Sequence, residues 1–240
     1  MLLSLAVIPS IILLVYIYKK DKIEKESAGI LSKCFIRGLV IILPVVIIEN
    51  LLGFFFDEIF IEGSVAYAIV DGFIVAALTE ELFKYVALKH KTWKSKEFNC
   101  TFDGIVYSVF VSLGFATFEN VVYVFDGGIS TAITRMFTAV PGHAYDAVIM
   151  GYFYSKAKMA DAEGNKKQVA ANKRKALIIP VLLHGIYDCL ISFDEEIVGE
   201  DVMLLGIMLW LLVIIFEFTL SLHVVNKASK NDTRIFDSIM

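Results

Sequence analysis

The feature that most constrains this chain is a series of about seven apolar runs, each near the length of a membrane crossing, separated by short loops whose charge alternates in sign. About 20 apolar residues are needed to span roughly 30 Å of hydrocarbon. The runs cover about Leu2 to Tyr18, Phe35 to Phe56, Ser64 to Leu88, Gly104 to Phe125, Thr131 to Ser155, Ala176 to Phe193 and Met203 to Val225. A 58% hydrophobic content and a mean hydropathy of +0.71 over 240 residues exclude an ordinary soluble domain. The polar stretches are too short for a second domain, so residues 1–240 are expected to form one membrane-embedded unit.

Charge placement sets the expected orientation. Lys19, Lys20, Lys22 and Lys25 follow the first run, and Lys89, Lys91, Lys94 and Lys96 follow the third. The lysine-rich stretch from Lys156 to Lys175 follows the fifth, and Lys227, Lys230 and Arg234 follow the seventh. Acidic groups fill the alternate loops: Asp57, Glu58 and Glu62, then Asp194, Glu195, Glu196, Glu200 and Asp201. Basic loops remain in the cytoplasm, so the N-terminus is expected outside and the C-terminus inside. The first run has no basic residue ahead of it, the wrong polarity for a cleaved signal peptide. Asp126-Gly127-Gly128 reads as an outer turn, and the stretch 156–175 as the longest polar loop. Cys34, Cys100 and Cys189 form no CxxC pair and predict neither a disulfide framework nor a zinc knuckle. A net charge of −4 gives no reason to expect nucleic acid.

Four of the apolar runs carry the ionisable residues that form motif-like groups: Glu80, Glu81 and Lys84; Glu119 beside Asn120; His143 and Asp146; and His184 and Asp188. A charge at the middle of a bilayer costs at least about 2.5 kcal/mol, so these groups must face the bundle interior. Lys84 lies one turn beyond both glutamates and can pair with either. Each histidine shares a helix face with an acid three or four residues on, placing Asp146 to orient His143 and Asp188 to orient His184. Gly142 and Gly185 read as points of close backbone approach. Asp71 and Glu217 read as packing or water contacts. Blander readings exist for each group: a salt-bridged helix end reaching to the cytoplasm, an interhelical polar lock, or a satisfied core histidine.

Counting helical rise from the cytoplasmic ends places Glu80, Glu81, His184 and Asp188 roughly 10 to 18 Å deep and His143 near the midplane. Glu119 comes out past the middle and joins the others only if its helix starts later, kinks or tilts.

The ordered set Glu80-Glu81-x-x-Lys84, Phe115-x-x-x-Glu119-Asn120, His143 and His184-Gly-x-x-Asp188 resembles the PrsW family of bacterial intramembrane proteases, similar in turn to the CAAX prenyl endopeptidases. The resemblance runs over about residues 64–193. Glu119 stands where the CAAX group usually has a histidine, which favours PrsW. The resemblance implies a multi-pass protein of the bacterial cell membrane. It also implies an extracytoplasmic first cut in a single-pass anti-sigma factor, within a stress response.

Hydrolysis needs an activated water, a stabilised oxyanion and a proton for the leaving amine. Glu80 or Glu81 is the expected base, with His143 and Asn120 as oxyanion or proton donors. No serine or cysteine accompanies a histidine on these helices, which leaves no covalent nucleophile. Without HExxH no cofactor is expected. The alternative is a zinc enzyme using His143, His184 and a carboxylate. Proton-coupled transport and a non-catalytic scaffold are the rival classes; no inverted repeat or broken helix pair supports the first.

Overall fold

The computed structural model describes residues 1–235. The described residues are built from helices, with one isolated bridge between Cys100 and Arg234. In chain order they are α1 (Leu2–Lys20), α2 (Ala28–Asp57), α3 (Val65–Val70), a π-helical segment (Asp71–Leu78), α4 (Thr79–Thr92), α5 (Asp103–Phe137), α6 (Ala139–Ala162), α7 (Lys166–Ile191), the single turn α8 (Glu195–Val198) and α9 (Glu200–Lys230). The α3, π and α4 pieces run on as one rod. Gly128, at φ 74°, divides α5 into an outgoing limb and a short returning one.

Among the described residues, Leu2–Lys20, Ala28–Asp57, Asp103–Ala162 and Glu200–Lys230 are long and apolar enough to cross a membrane, and the third of these holds both limbs of a hairpin. The other two crossings, 65–92 and 166–191, are helical as expected. The first of them is divided by its π segment, and the second begins in a lysine-rich stretch. The protein is thus an all-α polytopic membrane protein.

The stretch 156–175 is not a loop. Lysine, alanine and glutamine are good helix formers, so α6 and α7 continue beyond the apolar zone, and only Glu163–Asn165 separates them. Gly164 turns the chain at φ 72°. The Asn165 side chain then accepts the Gln168 N–H at 3.1 Å, capping α7. Ser27 and Ser64 cap α2 and α3 in the same way, which starts α2 well before the apolar run at Phe35. Such caps contribute about 1 kcal/mol each.

Small residues let the rods approach. A Cβ placed on Gly38 would lie 2.0 Å from the Val111 carbonyl oxygen, and one on Gly114 would lie 2.1 Å from that of Phe35. This crossing fixes α2 against α5. Lipid offers no hydrophobic drive between helices, so such contact is a main source of cohesion.

The end carrying the basic residues is closed by a buried aromatic group. Phe98 stacks on Tyr154 at 5.4 Å and meets Tyr107 edge-on, while Trp93 packs against Tyr154. Polar ties surround it. Tyr107 donates to Glu26 in the α1–α2 connection, and Asp103 accepts the backbone N–H groups of Asn99 and Cys100. Asp232 accepts from Thr101 and Phe102, fastening the segment after α9 to the start of α5. All three cysteines are free and buried.

Burial pushes the Glu26 carboxyl up to about 7, against the lowering effect of its hydrogen bonds with Tyr107 and Asp103. Asp21, also in the α1–α2 connection, is raised by burial to about 6. The folded protein therefore binds more protons here than the unfolded chain, and stability falls as pH rises from about 4.5 to about 7 through the Glu26 titration. Glu26→Gln is expected to flatten that loss, read as the thermal unfolding midpoint across the same pH window. At the helix crossing, Gly38→Val is expected to cost at least about 1–3 kcal/mol through overpacking. Gly53→Ala, with open space around it, should leave the unfolding midpoint unchanged or slightly raised.

Candidate active site

Lys84 is the hub of the polar interior. It is 1% exposed, and its Nζ lies 2.8 Å from Glu80 Oε2, 2.8 Å from Glu81 Oε1 and 3.1 Å from His143 Nδ1. The Phe115 ring sits 4.5 Å beneath the ammonium. The three donors of the ammonium thus have three acceptors, and a π face takes part of the remaining charge. The π segment ends just before these residues, and at its start Gly72 brings the rod against α7: a Cβ there would lie 2.7 Å from the Cys189 nitrogen. Wide helical turns of this kind often mark functional positions.

The two histidines occupy different settings. His143 Nδ1 accepts from Lys84, so its Nε2 carries hydrogen and donates to Glu119 Oε2 at 2.9 Å. His184 presents Nδ1 to Glu81 Oε1 at 3.1 Å and Nε2 to Asp188 Oδ2 at 3.0 Å. The rings meet edge to face with centroids 5.4 Å apart.

Asp188 thus orients His184, but Asp146 does not orient His143. Asp146 instead lies 4.0 Å from His184 Nδ1, and Glu119 from the neighbouring helix takes its place on His143. Asn120 is fully buried and outside the cavity lining; its amide donates to the Ala6 carbonyl and its oxygen accepts from Arg135. Gly142 has open space where a close approach was expected, whereas Gly185 receives the Phe73 ring.

Arg135 and Glu49 escaped the sequence reading. The Arg135 guanidinium bonds Glu119 at 2.6 Å and Asn120 at 3.0 Å, and both Arg135 and Glu49 line the central cavity. Both sit inside apolar runs, so the rule that flagged Glu119 would have found them. Asp71 and Glu217, read as packing or water contacts, also stand on the cavity wall.

Glu119 reaches the others because the helices share a level at the basic end. Gly104 packs on Ser155, and Thr92 bonds the Tyr154 hydroxyl. Counted from that level, Glu80 and His143 lie about 18 Å along their helices and Glu119 about 22 Å. Counting from Leu88 stopped α4 a turn too soon.

A cavity of about 850 Å³ reaches this cluster. Its wall runs from Glu80, His143 and His184 up to Asn50 and Asp57 on the last turns of α2 and Ser192 at the end of α7. It therefore leads to the acidic end, opposite the aromatic closure. Glu80 lines it, whereas Glu81 is fully buried behind.

Glu80, Glu81, His143 and His184 each offer one ligand atom, all within 4.8 Å of one another. Two imidazoles and two carboxylates suit a zinc-type ion in number and chemistry. The Lys84 ammonium bonds three of the same four residues.

A cavity inside a helical membrane bundle ends on paired carboxylates and histidines, groups able to activate water. A family model described as "PrsW family intramembrane metalloprotease" matches residues 26–218. Proteins described as Protease PrsW are 36% identical in Geobacillus kaustophilus, over 81% of this chain and 81% of that protein, and 34% identical in Clostridioides difficile, over 98% and 94%. A third, from Bacillus subtilis, is 31% identical over 80% of this chain and 83% of its own length. No solved structure matches. The chain belongs to the PrsW family of intramembrane proteases and is a multi-pass bacterial membrane protein.

Lys84→Met would leave two buried carboxylates without their counter-ion, a change expected to cost about 3–5 kcal/mol. The measurement is the unfolding midpoint in detergent, and Glu80→Gln/Glu81→Gln in the same background should restore part of the loss.

Proposed function

We propose that the protein cuts a peptide bond of a single-pass membrane anti-sigma factor with a water activated by Glu80. The observation that carries this reading is the division between the adjacent glutamates. Glu80 faces the cavity, while Glu81 is sealed behind it between Lys84 and His184.

In this mechanism Glu80 takes a proton from water, and the water oxygen bonds to the carbonyl carbon of the scissile peptide. The developing oxyanion is stabilised by Arg135 and the Nε2–H of His143, the donors on that wall. Glu80 returns its proton to the leaving nitrogen as the C–N bond breaks. Lys84 holds Glu80 in position and keeps Glu81 as an anion. Asp188 orients His184, and Asn120 positions Arg135. The positive-inside rule puts the basic end in the cytoplasm, with the N-terminus outside and the C-terminus inside. The cavity then opens to the exterior, which supports an extracytoplasmic cut although the carboxylates lie deep.

A zinc-dependent reading is supported by the four-residue donor set and by the family model's description. In it His143 and His184 with Glu80 or Glu81 would hold the ion, and the site would gain a Lewis acid able to polarise a carbonyl and to lower the pKa of a bound water. Lys84 would have to release those donors, and for that reason the glutamate reading is preferred.

Cleavage of a co-expressed single-pass anti-sigma factor, compared at matched membrane abundance, tests the reading. Glu80→Gln is expected to lower product formation by at least about a hundredfold. Continued cutting by that variant would remove Glu80 from the role of base. Stoichiometric zinc in active purified protein, with cleavage lost on chelation, would establish the metal reading instead.

A further inference from the structure

The cavity wall carries more carboxyl groups than the bases of the catalytic centre pair with. Each base near the reacting centre has a carboxylate partner: Lys84 has Glu80 and Glu81, Arg135 and His143 have Glu119, and His184 has Glu81 and Asp188. Glu49, Asp146 and Glu217 also line the cavity, from three different helices. In each of them one carboxylate oxygen is buried without a hydrogen-bond partner: Glu49 Oε1, Asp146 Oδ1 and Glu217 Oε1. Asp146 is 3% exposed and Glu217 2%. Buried carboxyl groups are normally hydrogen-bonded, so cavity-lining side chains that each keep an unmatched oxygen call for a ligand that brings donors.

Two of these acids, Asp146 on α6 and Glu217 on α9, face the cavity from helices that touch. Their neighbours Tyr145 and Phe218 bring α6 and α9 into contact, with ring centroids 6.0 Å apart. Tyr187 and Trp210, whose rings are 5.6 Å apart, line the same cavity. Carboxyl groups and aromatic rings lining one cavity suit an ammonium or guanidinium group. Asp146 is also 4.0 Å from His184 Nδ1, so a cation held there is next to the reacting centre.

We propose that Asp146 and Glu217 form a substrate subsite for a lysine or arginine side chain close to the scissile bond. The proposal rests on the proteolytic reading of the site. It makes Glu217, on a helix without any of the recognised motifs, a specificity-determining residue, and it extends Asp146 from a neighbour of His184 to a substrate contact.

The test uses full-length protein in nanodiscs and internally quenched transmembrane peptides that differ at one position. Lysine is compared with norleucine, and arginine with citrulline, at each position around the cut. At one position the basic residue is expected to raise kcat/KM by about tenfold or more, as charge-assisted bonds to a buried carboxylate do. Glu217→Gln should bring that ratio close to one, whatever the absolute rate. A ratio near one at every position with the wild-type protein overturns the subsite, and this comparison does not depend on any variant folding. If the wild type cuts none of the peptides, the proteolytic reading fails separately. Binding of the same peptides to Glu80→Gln protein, followed by fluorescence anisotropy, then decides the subsite: tighter binding of the basic peptide supports it, and equal binding overturns it.

Discussion

The structure depends on a single ammonium group held inside a membrane bundle. Lys84 is anchored within its own helix by Glu80 and Glu81 and across to α6 by His143. Each of those partners recruits another: His143 reaches Glu119, Glu119 reaches Arg135, and Glu81 reaches His184 and through it Asp188. Charge of either sign is costly in such surroundings, and the cost falls only when every member is matched. Cooperative satisfaction of this kind fixes four helices relative to one another more firmly than apolar packing alone, because helices surrounded by lipid gain little from burying apolar surface.

The two ends of the bundle have opposite tasks. At the basic end, aromatic rings, the Gly104–Ser155 contact and the carboxylate ties of Glu26, Asp103 and Asp232 pack the helices together. At the acidic end the rods diverge around a cavity that continues down to Glu80 and His184. Depth in the membrane and access to water are thereby separated. Residues that lie far along their helices from one face are wetted from the other.

Much of this was legible in the chain. Hydropathy located the crossings, because apolar length is a direct requirement of the bilayer, and the same requirement singled out Glu80, Glu81, Lys84, Glu119, His143 and His184 as groups that had to meet. Partnership was less legible. Spacing along one helix assigned Asp146 to His143, but a side chain from α5 lay closer, and periodicity carries no information about which helix stands opposite. Arg135 lies in the returning limb beyond Gly128, inside an apolar run, so the cost of a buried charge marks it as it marks Glu119, but not which helix it meets. Polarity suggests a loop over 156–175, whereas the helix propensity of its lysines and alanines carries α6 and α7 through most of it.

The donor geometry is what keeps a carboxylate reading and a metal reading side by side. Two carboxylates and two imidazoles converging within 4.8 Å form a cage for a cation without specifying which one. An ammonium supplied by the chain meets the same electrostatic need as a divalent ion, with one difference of consequence for chemistry. Lys84 fills its three donor directions with protein acceptors, whereas an ion in the same cage would also have a coordination position for water. In this chain the side chain that satisfies the cage is also the one that separates Glu80, open to the cavity, from Glu81, enclosed behind it. The asymmetry between two chemically identical neighbours thus follows from one cation and from the face of the helix on which each carboxylate emerges.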